Sequence, residues 1–329
     1  MASKSYDEPA ENIPQLSAIQ TIPNKGRGLV ATANISPGTR ILVEKPFLTM
    51  GPAPTPELLE RRLSNVLKTL TDEQRAHYHS LRNTSEGSRY PLSGIMRNNA
   101  LPCGPDSKIG GIYATIGLIN HSCVANAHHS WNKTLEAETI HATRDIKAGE
   151  EITIYYLTGD TSQTRQRMLK ESFGFDCACQ LCSLPADKIQ ASDRRRKEIA
   201  ILDHLIAYSG RAMTNPDACL KDCRRLIKAL EEEYGGGAPT LEARAHDDAF
   251  QICLGQGDLA RAKVLVEREY RLRVRCEGED SASSRELKQF VENPRRHGAF
   301  GFSMAWRSGI TDIPVGLGEE MFEKWLWRL

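Results

Sequence analysis

No apolar run in the 329-residue chain approaches the ~18 residues that a membrane-spanning helix needs, so no helical span is expected. The charges nearly cancel, with 43 basic against 42 acidic residues, and a net +1 gives no global field to draw a nucleic acid or an acidic bilayer. Aromatic residues make up only 6% of the chain, and no stretch concentrates basic and aromatic residues as a nucleic-acid surface does; no direct nucleic-acid partner is expected. Met1 to Gln15 is rich in Ser, Glu and Pro and lacks the apolar core of a secretion signal, which reads as a disordered tail on an intracellular protein of the nucleus and/or cytoplasm. In a reducing compartment nine cysteines favour metal over disulfides. A further gap is local: Pro52 to Pro102 contains no cysteine at all.

The cysteines that are present cluster. Cys177, Cys179 and Cys182 form C-x-C-x-x-C, which sets three thiolates on a tight turn, and a tetrahedral zinc then needs one more soft ligand. Cys123, in Asn120-His121-Ser122-Cys123, is the natural fourth. One structural zinc held by these four would tie the Asn120–Cys123 turn to the segment beyond Tyr155-Tyr156 and wall a single cavity. Cys219, Cys223, Cys253 and Cys276 lie in helical patterns and read as small buried apolar residues.

Along the chain, residues 20–50 alternate short apolar pieces with turn signals and predict β-hairpins, one of them turning through Lys25-Gly26-Arg27-Gly28. Leu58, Leu59, Leu63, Val66, Leu67 and Leu70 recur at helical spacing, and Thr71 caps a second helix. Residues 90–106 read as loop. Ala127–Trp131 and Leu135–Ala142 predict a hairpin whose His128, His129 and His141 are sheet residues rather than ligands. Residues 152–157 make a strand ending in the two tyrosines. A helix follows at 161–171 with Arg165 solvated. Beyond Pro185 the chain turns to helix-forming, alternating charge, with helices expected from a Ser192-Asp193 cap and at 216–234, 241–255 and 258–276. Arg194-Arg195-Arg196-Lys197 reads as a solvated face, and the end, which holds three of the four tryptophans, should pack back.

Four motifs in fixed order, K-G-R-G-L at 25–29, N-H-S-C at 120–123, G-E-E-I-T-I-Y-Y at 149–156 and the closing C-x-C-x-x-C, resemble a SET-domain protein-lysine methyltransferase with a post-SET zinc site. The resemblance covers about half the chain and is nearest the SMYD-like group, without the MYND zinc module. It implies an α+β fold: a β-rich SET domain over 16–171 with a helical insert at about 52–102, a post-SET zinc segment at 172–185, and an all-α, tetratricopeptide-like domain over 190–329. It further implies transfer of a methyl group from S-adenosylmethionine to a lysine of a histone or other protein, with a further protein partner possible on the helical domain. The matching positions are Tyr156 as catalytic residue and Lys25, Gly26, Arg27, Asn120, His121 and Phe173 around the cofactor. Asn99, Leu101, Tyr156 and Phe173 match the lysine channel, with Arg97–Pro102 as its strand, and Leu101 stands where relatives often carry an aromatic. A catalytically inactive SET scaffold that binds proteins is the alternative.

Overall fold

The computed structural model describes residues 15–84, 87–157, 159–208 and 210–329; residues 1–14 of the expected N-terminal tail lie outside them. Short strands come first. β1 (Ser17–Ile22) and β2 (Gly26–Ala31) pair antiparallel from Ser17 opposite Ala31 to Ile22 opposite Gly26. Their turn needs left-handed backbone at Asn24 and Gly26, with φ of 61° and 80°, which Asn and Gly adopt at low cost. β3 (Arg40–Glu44) and β4 (Leu48–Met50) lead to the helical insert.

In that insert α1 (Pro56–Leu67) starts after Thr55, whose hydroxyl accepts from Leu58 N, and α2 (Asp72–Ser80) starts where Thr71 predicts, with a full capping box to Gln74. Residues 91–99, expected as loop and strand, are instead α3 (Pro91–Asn99). The cause lies elsewhere in the chain. Glu60 on α1 accepts from Leu92 N at 2.9 Å, Ser93 N at 2.8 Å and the Ser93 hydroxyl at 2.7 Å, so a remote carboxylate caps the helix and opposes its dipole.

β5 (Leu101–Pro102), β6 (Gly110–Ile112), β7 (Asn120–His121), β8 (Ala127–Asn132), β9 (Ala137–Ala142) and β10 (Glu151–Ile154) complete three small sheets, ordered β1-β2-β10-β7, β3-β9-β8 and β4-β6-β5. Their inner faces meet in one core, including Leu29, Ile41, Ile112, Ile116, Ile119, Ile140 and Ile152, with Leu63 and Tyr78 of the insert. α4 (Ser162–Phe173) carries the chain from β10 to the cysteines.

The remainder is helical: α5 (Ala186–Ala207), α6 (Arg211–Thr214), α7 (Pro216–Tyr234), α8 (Pro239–Gly255), α9 (Leu259–Glu277), α10 (Ala282–Glu292) and α11 (Glu319–Leu326). They share a second core in which Cys219, Cys223 and Cys253 are fully buried among Leu220, Phe250 and Leu265, and Trp327 returns to it as the chain's end predicts. α5 begins at Ala186, ahead of the expected Ser192-Asp193 cap. Asp193 instead caps α4, accepting from Ser162 N and its hydroxyl at 2.7 Å each. α9 lies against β8 and β9, and Arg40 of β3 bonds Asp280 just beyond α9. Among the described residues no helix is long and apolar enough to cross a membrane.

Candidate active site and metal centre

β7 and β10 run parallel, with Thr153 opposite Asn120 and Ile154 opposite His121, so the end of one strand sets the start of Asn120–Cys123 beside the tyrosines. Two polar side chains hold this region. Asn126 accepts from Thr153 N at 2.8 Å and donates to the Glu151 carbonyl at 2.9 Å. The Glu44 carboxylate receives the N–H groups of Ala114, Thr115 and Ile116 at 2.6–3.1 Å and so fixes the turn that delivers Ile119 and Asn120. Fixed backbone on both sides leaves the side chains of 119–123 little freedom.

His121 is 4% exposed with both ring nitrogens engaged. Nδ1 accepts from Tyr156 N at 3.0 Å, which assigns the proton to Nε2, and Nε2 lies 3.4 Å from Cys123 Sγ. The imidazole therefore joins the tyrosine to the cysteine cluster and has no nitrogen left for a ligand. Asn120 differs. Its Nδ2 donates to the Arg27 carbonyl at 3.1 Å and to Glu151 Oε1 at 2.9 Å, leaving Oδ1 to accept from a ligand. Nearby, Lys25 is paired with Glu151 at 2.6 Å and Arg27 donates to Ser80, so these two cations brace the hairpin. A Cβ on Gly26 would stand in open space, whereas one on Gly28 would meet Asn120 Nδ2 at 2.7 Å.

A cavity of about 300 Å³ gathers Asn99, Leu101, Tyr156 and Phe173, the four channel residues expected from the sequence, with Ile116, Ile119 and His129. Tyr156 donates its hydroxyl proton to the Ile119 carbonyl at 2.7 Å, and its ring lies 4.9 Å from Phe173 and 5.4 Å from His121. Burial first, and then Glu151, push its pKa up to about 12, so it stays protonated at neutral pH. Tyr155 also lines this cavity, but its ring packs edge-on to Tyr234 at 6.2 Å and its buried hydroxyl has no partner. Asn99 lines the cavity from α3 rather than from a strand, with its amide donating to the Arg82 and Ile95 carbonyls. Arg82 in turn donates to the carbonyls of Phe173 and Gly174 at 2.9 Å, and Asn98 to that of Ser172 at 2.7 Å, so the insert holds Phe173 in place.

The sulfur atoms of Cys123, Cys177, Cys179 and Cys182 lie within 4.8 Å of one another, the compact all-thiol set that a tetrahedral zinc takes. Four ionised thiolates around one divalent ion carry net negative charge, and the surroundings answer it. Arg165, expected to be solvated, is 2% exposed and donates from Nε to Cys123 Sγ at 3.3 Å. Burial alone would lower its pKa, but the Cys123 and Cys182 sulfurs outweigh that and hold it above the usual value. Arg196 is a second correction. Arg194 and Lys197 are exposed as expected, but Arg196 is 3% exposed, donating to Glu233 Oε1 at 2.6 Å, the Cys123 carbonyl at 2.9 Å and the Gly159 carbonyl at 3.1 Å. Sequence patterning missed both arginines because each is buried by a partner from a distant element. Their immediate neighbours, Thr164 and Gln166 for the one and Arg195 and Lys197 for the other, are polar and gave no sign of burial.

These three small sheets carry both the tyrosine cavity and the strand leading to the thiol cluster, and residues 26–157 match the SET domain family. The chain is 35% identical over 309 residues to the histone-lysine N-methyltransferase set5 of Schizosaccharomyces pombe, an alignment spanning 93% of this chain and 91% of that protein. It is 36% identical over 93 residues to the human histone-lysine N-methyltransferase SMYD3, covering 27% of this chain and 21% of that one. Over 81 residues it is 36% identical to the mouse protein-lysine N-trimethyltransferase SMYD5, covering 23% and 20%. The chain belongs to the SET-domain family of protein-lysine N-methyltransferases, in its SMYD-like group, and is an enzyme of that class; the inactive-scaffold alternative is set aside.

Proposed function

We propose that the chain methylates a lysine of a histone or another protein in the cavity under Tyr156, with S-adenosylmethionine bound on the far side against the β1–β2 turn. The observation that carries this reading is the cavity itself, where Tyr156, Phe173, Asn99 and Leu101 converge from four separate elements. The donor chemistry around it fits the cofactor: Asn120 Oδ1 is left to accept from a ligand, and the space outside Gly26 admits one. When bound, S-adenosylmethionine supplies an electrophilic methyl group on a cationic sulfur. A zinc ion at Cys123, Cys177, Cys179 and Cys182 would be structural, tying Phe173 and its flank to the Asn120–Cys123 turn.

The chain's own residues then have defined tasks. A free lysine, with pKa ~10.4, is almost wholly protonated at pH 7, so the amine must lose a proton before it attacks. Tyr156 is no base, since its own pKa lies near 12. The half-buried, largely apolar channel disfavours the ammonium and lowers the amine's pKa, so the proton leaves to water. Tyr156, anchored on Ile119, orients the lone pair, and Phe173 excludes bulk water. The domain boundaries we propose are 16–171 for the SET domain with its insert at 52–102, 172–185 for the zinc segment and 190–329 for the helical domain, which follow the two separate cores. A nuclear or cytoplasmic protein substrate agrees with the histone-lysine methyltransferases it resembles. A second protein partner on the helical domain belongs to the same proposal.

The test is Tyr156→Phe, assayed with labelled methyl donor on histones and cell-extract proteins. Turnover should fall about 10²-fold, or ~2.7 kcal/mol of transition-state stabilisation, with cofactor affinity retained. Tyr155→Phe removes a hydroxyl that has no partner and should leave the rate nearly unchanged. A Tyr156→Phe chain as fast as its parent would refute the role given to Tyr156.

A further inference from the structure

A second and larger cavity, about 480 Å³, opens between the β8–β9 hairpin and α9–α10. It meets the tyrosine cavity at Pro102 and His129, which line both. Its polar centre is Glu138, on β9 and 1% exposed. One carboxylate oxygen, Oε1, lies 2.8 Å from His129 Nδ1, and the other, Oε2, is buried without any partner. A buried carboxylate oxygen left unpaired is costly, and the nearby buried Tyr113 hydroxyl lies with Cys103 and makes no hydrogen bond to Glu138, so Oε2 is left as the acceptor for a donor entering the cavity.

The charges around the cavity sort that donor. Arg273 is paired with Glu277 at 2.9 Å, with Glu269 at 4.0 Å, and makes no hydrogen bond to Glu138. Lys133 stands exposed on the rim. Trp131, directly across the strand pair from Glu138, adds the aromatic face on which a guanidinium or ammonium group rests. An unpaired carboxylate beside an aromatic ring in a cleft selects a cation over a neutral or anionic group.

We propose that this cavity is a substrate subsite for a basic side chain close in sequence to the target lysine, with Glu138 Oε2 as its counter-ion. The shared His129 sets the spacing: a chain that fills both cavities places its second cation within a few residues of the lysine. The enzyme therefore takes lysines in basic segments, and the preference is built into the SET hairpin and the facing helices together. This rests on the reading of the tyrosine cavity as the lysine channel.

The experiment uses the full chain, labelled methyl donor and synthetic peptides with one lysine, in which each flanking position carries in turn arginine or citrulline, its neutral analogue of like shape. At the best position the parent should prefer arginine by roughly tenfold or more in kcat/KM, the range of a hydrogen bond to a buried charge. Glu138→Gln should lose that preference while still methylating the citrulline peptides. Glu138→Asp keeps the charge but withdraws it by one methylene, and should retain the preference at reduced size; this variant decides the matter if the glutamine form does not fold. Equal rates for arginine and citrulline in the parent would overturn the subsite. So would an undiminished preference in Glu138→Gln or Glu138→Asp, which would leave Glu138 only holding His129. If no peptide is methylated, the channel reading fails, and fluorescence anisotropy of arginine against citrulline peptides still decides the subsite by binding alone.

Discussion

Replacing Arg196 by Met would remove the strut between the helical domain and the cysteine-bearing turn. The guanidinium makes three hydrogen bonds, to Glu233, the Cys123 carbonyl and the Gly159 carbonyl, and lies 4.9 Å over the Tyr234 ring. Breaking a buried ion pair by deleting one partner costs about 3–5 kcal/mol, because the other charge is left buried. Glu233, whose side chain is fully buried, keeps Arg195 at 2.9 Å and the Ser192 hydroxyl at 2.5 Å, which places the cost near the lower end, about 3 kcal/mol. Thermal unfolding followed by circular dichroism should then show the midpoint lowered by roughly 5–10 °C. The Cys123 carbonyl also loses its donor, so the variant should release zinc to a chelator faster than its parent. If Arg196→Met melts with the parent and holds zinc as long, the arginine is not a strut and the coupling of the two cores through Cys123 is wrong.

Cys179→Ser should abolish stoichiometric zinc by metal analysis and weaken binding of S-adenosylmethionine, because Phe173 and its flank lose their tie to the Asn120 turn; a zinc-free parent would dispose of the site. Gly28→Ala puts a methyl group 2.7 Å from Asn120 Nδ2, and calorimetry should show cofactor affinity about tenfold weaker or worse, a change of at least ~1.4 kcal/mol. Glu269 is 3% exposed, and burial first, then Asp247, raise its pKa from 4.5 to about 8. The folded chain thus holds this proton more tightly than the unfolded one, so stability is greatest below about pH 4.5 on this account and is lost as pH climbs to 8. Glu269→Gln should raise the melting temperature at pH 8 and leave it nearly unchanged at pH 5, and equal effects at both would rule out the buried carboxylate as the cause.

Local signals in the sequence determined a good deal of this protein. Thr71 marked its helix because a hydroxyl one residue before a first turn needs nothing from elsewhere. The C-x-C-x-x-C spacing and the strand into Tyr156 placed the cysteine cluster and the tyrosine, since both depend on neighbours in the chain. The family resemblance grouped Asn99, Leu101, Tyr156 and Phe173, and the four line one cavity.

What only the tertiary structure decided was set by single side chains acting across large separations. Glu60 turns residues 91–99 into a helix, Asp193 starts α4 instead of its own helix, and Glu44 holds the turn before Asn120. Arg165 and Arg196 look solvated on their own helices and become buried only because the Cys123 thiol, its carbonyl and Glu233 await them. A carboxylate or guanidinium has no intrinsic preference for helix, strand or burial strong enough to read locally. Its partner fixes its role, and only the folded chain brings that partner within hydrogen-bond reach.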